Sequence, residues 1–128
     1  MQGLYRLEEG WRPVRCESLR EYVESQIGKE IRVGRDEWAH PDGAIIVSTV
    51  FLGIDHDHSG VGPPVLWETM IFASDPIIDR YCRRCAGSVE QAQAMHMEVV
   101  KHVRNTIQID ERTEATHRSW SVLHPRLD

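Results

Sequence analysis

Two runs rich in β-branched and aromatic residues stand on either side of one polar loop. The first is Ile45-Ile46-Val47-Ser48-Thr49-Val50-Phe51-Leu52-Gly53-Ile54, and the second is Val65-Leu66-Trp67-Glu68-Thr69-Met70-Ile71-Phe72. Such residues fit a pleated, buried surface, and turn-forming residues bound both runs, so 45–54 and 65–72 are predicted as paired strands. Apolar residues fall on both parities of each run, which predicts central strands covered on both faces or nearly so. The intervening Asp55-His56-Asp57-His58-Ser59-Gly60-Val61-Gly62-Pro63-Pro64 then lies at one end of the sheet, where sites are often built.

The other elements follow from local signals. Leu4–Leu7 and Trp11–Cys16 suit a hairpin around Glu8-Glu9-Gly10. Ser18-Leu19-Arg20-Glu21 is a capping box, and Leu19, Tyr22, Val23 and Ile27 recur at helical spacing before Gly28, which predicts a short helix over 19–27 covering part of the sheet. Residues 30–34 read as a strand, 35–43 as a polar connection ending in the turn Pro41-Asp42-Gly43, and 77–81 as another strand. Ser88-Val89-Glu90-Gln91 is a second capping box, and Val89, Ala92, His96, Val99 and Val103 form one stripe, so the main helix runs over 89–104. Residues 106–109 suit a late strand, and the apolar content of 117–128 predicts a docked tail. The chain reads as a single domain, 1–128, of the α+β class: a mainly antiparallel sheet with one long and one short helix packed on it.

The chain has 128 residues, three cysteines and a net charge of −5. One core suits that length. The acidic balance opposes broad nucleic-acid binding, although Arg80, Arg83 and Arg84 leave a local basic patch open. No apolar run reaches the roughly 20 residues that span a bilayer, and the first ten residues carry no signal-peptide pattern, so a cytoplasmic protein without membrane attachment is expected.

The candidate site residues are Asp55, His56, His58, Glu68 and His96. Carboxylates and imidazoles ligate divalent metals and transfer protons. Alternation splits the loop cluster, with Asp55 and Asp57 on one side and His56 and His58 on the other. Glu68 shares its parity with Leu66, Met70 and Phe72, which predicts a carboxylate on an apolar face, paired with His56, His96 or an arginine. In an antiparallel hairpin Glu68 lies roughly opposite residue 51, too far from Asp55 for direct contact. Two subsites are therefore expected: the loop, and Glu68 with His96 beneath the main helix. Cys82-Arg83-Arg84-Cys85 has the spacing of half a zinc site, and Cys82, Cys85 and His56 are the corresponding metal candidates. The second half of such a motif is absent, so the expectation is no required cofactor, with zinc as the alternative. No nucleophile elbow, phosphate loop, dinucleotide fingerprint or His-Glu-x-x-His occurs.

The joined pattern Ser48-Thr49-Val50-Phe51-Leu52-Gly53-Ile54-Asp55-His56, Pro63-Pro64 and Trp67-Glu68-Thr69-Met70, followed by Arg80-Tyr81 and a helix carrying His96, resembles a widespread family of small proteins encoded by bacteriophages and prophages, to which no function is assigned. The resemblance covers about 47–103. Cys82-Arg83-Arg84-Cys85 departs from the family pattern, so the cysteines look particular to this chain. The resemblance implies a phage-type accessory protein of the infected or lysogenic host cell. Such a protein would bind a host protein or a small nucleotide-like signal and counter host defence, and a homo-oligomer is left open. The alternative is a metal-dependent hydrolase or nuclease using Asp55, His56, Glu68 and His96.

Overall fold

The computed structural model describes residues 3–27, 31–109 and 114–120. Their order is β1 (Tyr5–Glu8), β2 (Arg12–Arg15), α1 (Leu19–Gln26), β3 (Arg32–Trp38), β4 (Ile45–Phe51), β5 (Val65–Phe72), β6 (Cys82–Ala86), α2 (Val89–Ile107) and β7 (His117–Trp120). β1 and β2 form a hairpin, and the other strands form one antiparallel sheet in the order β6-β5-β4-β3-β7. The fold is α+β, with one long helix and one short one.

β4 and β5 are the centre of the sheet, with Phe51 opposite Trp67 and Val50 opposite Glu68. Burial along β4 alternates strictly, and Ile45, Val47, Thr49 and Phe51 are the buried set. The expectation of strands covered on both faces is thus corrected. α2 packs on one face of the sheet, against Val47, Ile71 and Trp38 through Val99, Val100 and Val103, and against Trp67 through Ala92 and Met95. Ile46, Ser48, Val50, Glu68 and Met70 project from the opposite face and are half-buried, while Phe72 is 46% exposed.

Ser88 and Ser18 both cap the starts of their helices, but only the expected box at Ser88 is complete. Ser88 Oγ accepts from Gln91 N–H, and Gln91 Oε1 accepts from Ser88 N–H. Ser18 Oγ accepts from Glu21 N–H, but Glu21 reaches past Ser18 to Glu17 N–H and gives its other oxygen to Arg6. That ion pair draws the polar side of α1 inward. Tyr22 packs toward Gly53, and no residue of α1 is buried. The expected apolar stripe does not cover the sheet: Leu19, Val23 and Ile27 are 66%, 51% and 75% exposed.

Two other expected strands are absent from the described residues. Over 77–81, Asp75 and Asp79 accept backbone N–H groups of Ile77 and Ala73, which closes a turn, and Ile78 is sunk in the core while Ile77 is 78% exposed. The strand begins only at Cys82. Residues 106–107 continue α2, which stops at Gln108 in the left-handed conformation. The expected strand at 30–34 is longer, and it continues through the charged Arg35-Asp36-Glu37. The tail docks over 117–120 as β7, antiparallel to β3, and the rest of the expected docked tail, 121–128, lies outside the described residues.

Gly34 fixes where that edge strand sits. A Cβ on Gly34 would lie 2.6 Å from Trp120 Cε3, inside contact distance. Gly34→Ala is expected to lift Trp120 and cost about 1–3 kcal/mol, as other overpacked sites do. Denaturant melts followed by tryptophan fluorescence check this.

Candidate functional site

Five elements deliver polar side chains to one place between α2 and the sheet. Thr49 and Thr69 sit side by side on β4 and β5, which the register makes cross-strand partners. Their hydroxyl oxygens are 2.6 Å apart, and Thr49 Oγ1 is 2.6 Å from His96 Nδ1. On the other side of the imidazole, Nε2 lies 3.6 Å from Asp36 Oδ2 of β3. Arg118 of β7 donates twice to Asp36, at 2.8 and 2.9 Å. Trp120 meets the His96 ring edge-on, with centroids 4.6 Å apart.

Asp36 sets the polarity of this chain. Burial favours its neutral form most strongly, but the nearby His96 imidazole and the two hydrogen bonds and charge of Arg118 together outweigh that and hold the carboxyl below its ordinary range. An ionised carboxylate beside Nε2 places the imidazole proton there. With the proton on Nε2, Nδ1 accepts from Thr49 and Thr49 accepts from Thr69, while Nε2–H faces the carboxylate at 3.6 Å, beyond hydrogen-bond distance. The order hydroxyl, imidazole, carboxylate matches a nucleophile, its base and the group that orients the base. Access decides against that chemistry: Thr49, Thr69, His96 and Asp36 are all 0% exposed. The network therefore acts as a polar core that fixes five elements.

The sequence-based candidates fall elsewhere, apart from His96. Asp55 Oδ1 accepts from Asp57 N–H and Val65 N–H, so it ties the two ends of the loop. Asp57 takes the hydroxyl and N–H of Ser59 and the N–H of Gly62, and these bonds, that of the Ser59 hydroxyl first, lower its pKa. His56 donates from Nδ1 to the Ile54 carbonyl. His58 lies near it, with ring centroids 6.4 Å apart. The loop thus spends most of these groups on its own backbone.

Glu68 is not beneath the main helix. It shares its side with Met70 and Phe72 as expected, but that set points away from α2, while Leu66 is buried in the core at the irregularity between Val65 and Trp67. The carboxylate accepts from Arg84 Nε at 2.8 Å and lies 3.4 Å from Cys82 Sγ. The expected pairing of Glu68 with His96 is therefore corrected, since the two lie on opposite faces of the sheet, and the arginine alternative is the one present. The register sets Glu68 opposite Val50, five residues before Asp55, which keeps it apart from the start of the loop along the strand.

Cys82 and Cys85 also diverge. Three residues apart on a strand, they point to opposite faces. Cys82 lies beside Glu68, while Cys85 packs with Met95 and Ala92. Burial, and then Glu68, pushes the Cys82 thiol up, and burial pushes up that of Cys85. The meeting of Cys82, Cys85 and His56 needed both thiols on one side, and the extended backbone of β6 prevents it. Among the described residues no three His, Cys, Asp or Glu side chains converge on one point. The basic patch is likewise divided, since Arg83 pairs with Glu98 and Arg84 with Glu68.

An open cavity of about 540 Å³ lies between the hairpin and α1, lined by Gly3, Leu4, Arg15, Cys16, Glu17, Ser18 and Leu19. No family model, curated protein or solved structure matches the chain.

Two outcomes check the polar core. His96→Ala is expected to destabilise the protein by about 1–3 kcal/mol, because Thr49 and Asp36 lose a buried partner. Because the Asp36 pKa is lower folded than unfolded, its contribution is present above about pH 3.9, the unfolded value, and is lost as pH falls through the folded one. Asp36→Asn is therefore expected to flatten the loss of stability below pH ~4. Melts of parent and variant across that range measure the difference.

Proposed function

We propose that this chain acts by binding and not by catalysis, as a small phage-type accessory protein in the host cytoplasm, and that it docks a host protein on the open face of its sheet. The observation that carries this reading is the composition of that face. Ile46 and Phe72 are a cross-strand pair, with Val50 and Met70 on the same side and Phe72 left 46% exposed. Ion pairs flank them: Arg35 with Glu37 on β3, and Arg84 with Glu68 on β5 and β6. An apolar centre with a charged rim of both signs is the anatomy of a protein interface. Nucleic acid would favour a basic surface instead.

A host protein suits this surface better than a small nucleotide-like signal, which needs a concave pocket with unspent polar groups. The 55–62 loop uses its carboxylates internally. The hydrolase reading is supported less well, because Glu68 and His96 lie on opposite faces and His96 has no route to a substrate.

The test is chemical cross-linking in host cells followed by mass spectrometry, with parent and Phe72→Lys proteins compared. The parent is expected to capture one host protein stoichiometrically. Phe72→Lys is expected to weaken that complex roughly 30-fold, the scale of an aromatic hot spot, with its melting temperature unchanged. Capture that ignores Phe72→Lys would remove the sheet face from consideration, and metal-dependent phosphodiester hydrolysis by the purified protein would replace binding with catalysis.

A further inference from the structure

α1 presents its apolar side to solvent. Leu19, Val23 and Ile27 recur every four residues, so they form one ridge about 12 Å long. Arg20 and Glu24 are exposed beside it, whereas Glu21 and Tyr22 are half-buried against the hairpin and Gly53. A soluble helix normally turns such a stripe inward. Here the Arg6–Glu21 ion pair, at 2.7 Å, holds the opposite orientation.

We propose that this ridge is a contact between two copies of the chain, paired through antiparallel α1 helices. The ridge is self-complementary about Val23. A two-fold axis there sets Val23 against Val23 of the second copy and Leu19 against Ile27 of the second copy, which closes the apolar line at both ends. Charge fits the same register. At about 100° per residue, Arg20 and Glu24 lie on one flank of the ridge. Arg20 is three residues before Val23, and the two-fold reversal puts Glu24 of the second copy one residue before it. The two opposite charges are thus about 3 Å apart along the axis, and symmetry makes the pair twice, against a single approach of Glu24 to Glu24 of the second copy across the axis. The same antiparallel register carries Ile27 of the second copy to Leu19, at the rim of the 540 Å³ cavity. A helix this short buries less than the roughly 1,600 Å² of a standard interface, so the pairing is weak, with a dissociation constant on the order of 10–500 µM.

Sedimentation equilibrium of the full chain across that range tests the proposal. The parent is expected to move reversibly from monomer to dimer mass. Val23→Glu sets carboxylates together at the axis and is expected to leave a monomer with an unchanged circular dichroism spectrum. Arg20→Glu alone and Glu24→Arg alone are each expected to weaken the dimer about tenfold, since each spoils two pairs. The double substitution Arg20→Glu, Glu24→Arg is expected to restore it, and it keeps the apolar ridge intact should Val23→Glu fold poorly. A parent that stays monomeric throughout overturns the proposal. A dimer indifferent to Val23→Glu, or one not restored by the double charge exchange, overturns it as well.

Discussion

The carboxylate of Asp36 is the constraint on which the architecture depends. A charge with no exposure to solvent is costly unless other groups compensate it. Its compensation comes from distant parts of the chain: Arg118, 82 residues later, and His96 of α2. His96 in turn satisfies Thr49, and Thr49 satisfies Thr69. One buried charge thereby fixes β7 against β3, α2 against the sheet and β4 against β5. An apolar core alone would hold these layers together, but it would specify their register less closely.

That arrangement also divides the molecule into a closed face and an open one. The helix-covered face is closed, and His96 is enclosed within it. The free groups lie on the opposite face and on α1, where apolar side chains remain exposed among ion pairs. Exposed apolar surface ringed by charge is what a partner recognises. The two exposed surfaces differ in kind. The sheet face is broad, and the α1 ridge is narrow and matches itself.

Much of this was legible in the sequence, for physical reasons that can be named. β4 and β5 announce themselves through β-branched content, and both helix starts through residues that cap exposed N–H groups. The parity of Glu68 was readable too. Which face α2 would cover was not, because both parities of β5 carry apolar residues. Asp36 was hidden by its neighbours: Arg35-Asp36-Glu37 has the composition of a solvated connection, and nothing local points to Arg118. Thr49 and Trp120 were hidden likewise, since their partners lie far along the chain. The stripe of α1 was correctly found and wrongly oriented, because the Arg6–Glu21 pair that turns it outward is not a periodic signal. Among the site candidates only His96 belongs to the central network. Asp55 and His56, with the right chemistry for a site, are occupied in shaping their own loop.

The buried Asp36 carboxylate and the half-buried Arg118 act as one energetic unit. A double-mutant cycle on unfolding free energy, with Arg118→Met, Asp36→Leu and their combination, measures it directly. Removing the arginine strands a buried carboxylate, so Arg118→Met alone is expected to cost about 3–5 kcal/mol, while the double variant returns to within about 1 kcal/mol of the parent or exceeds it. A harmless Arg118→Met, or single costs that simply add in the double variant, would contradict the account.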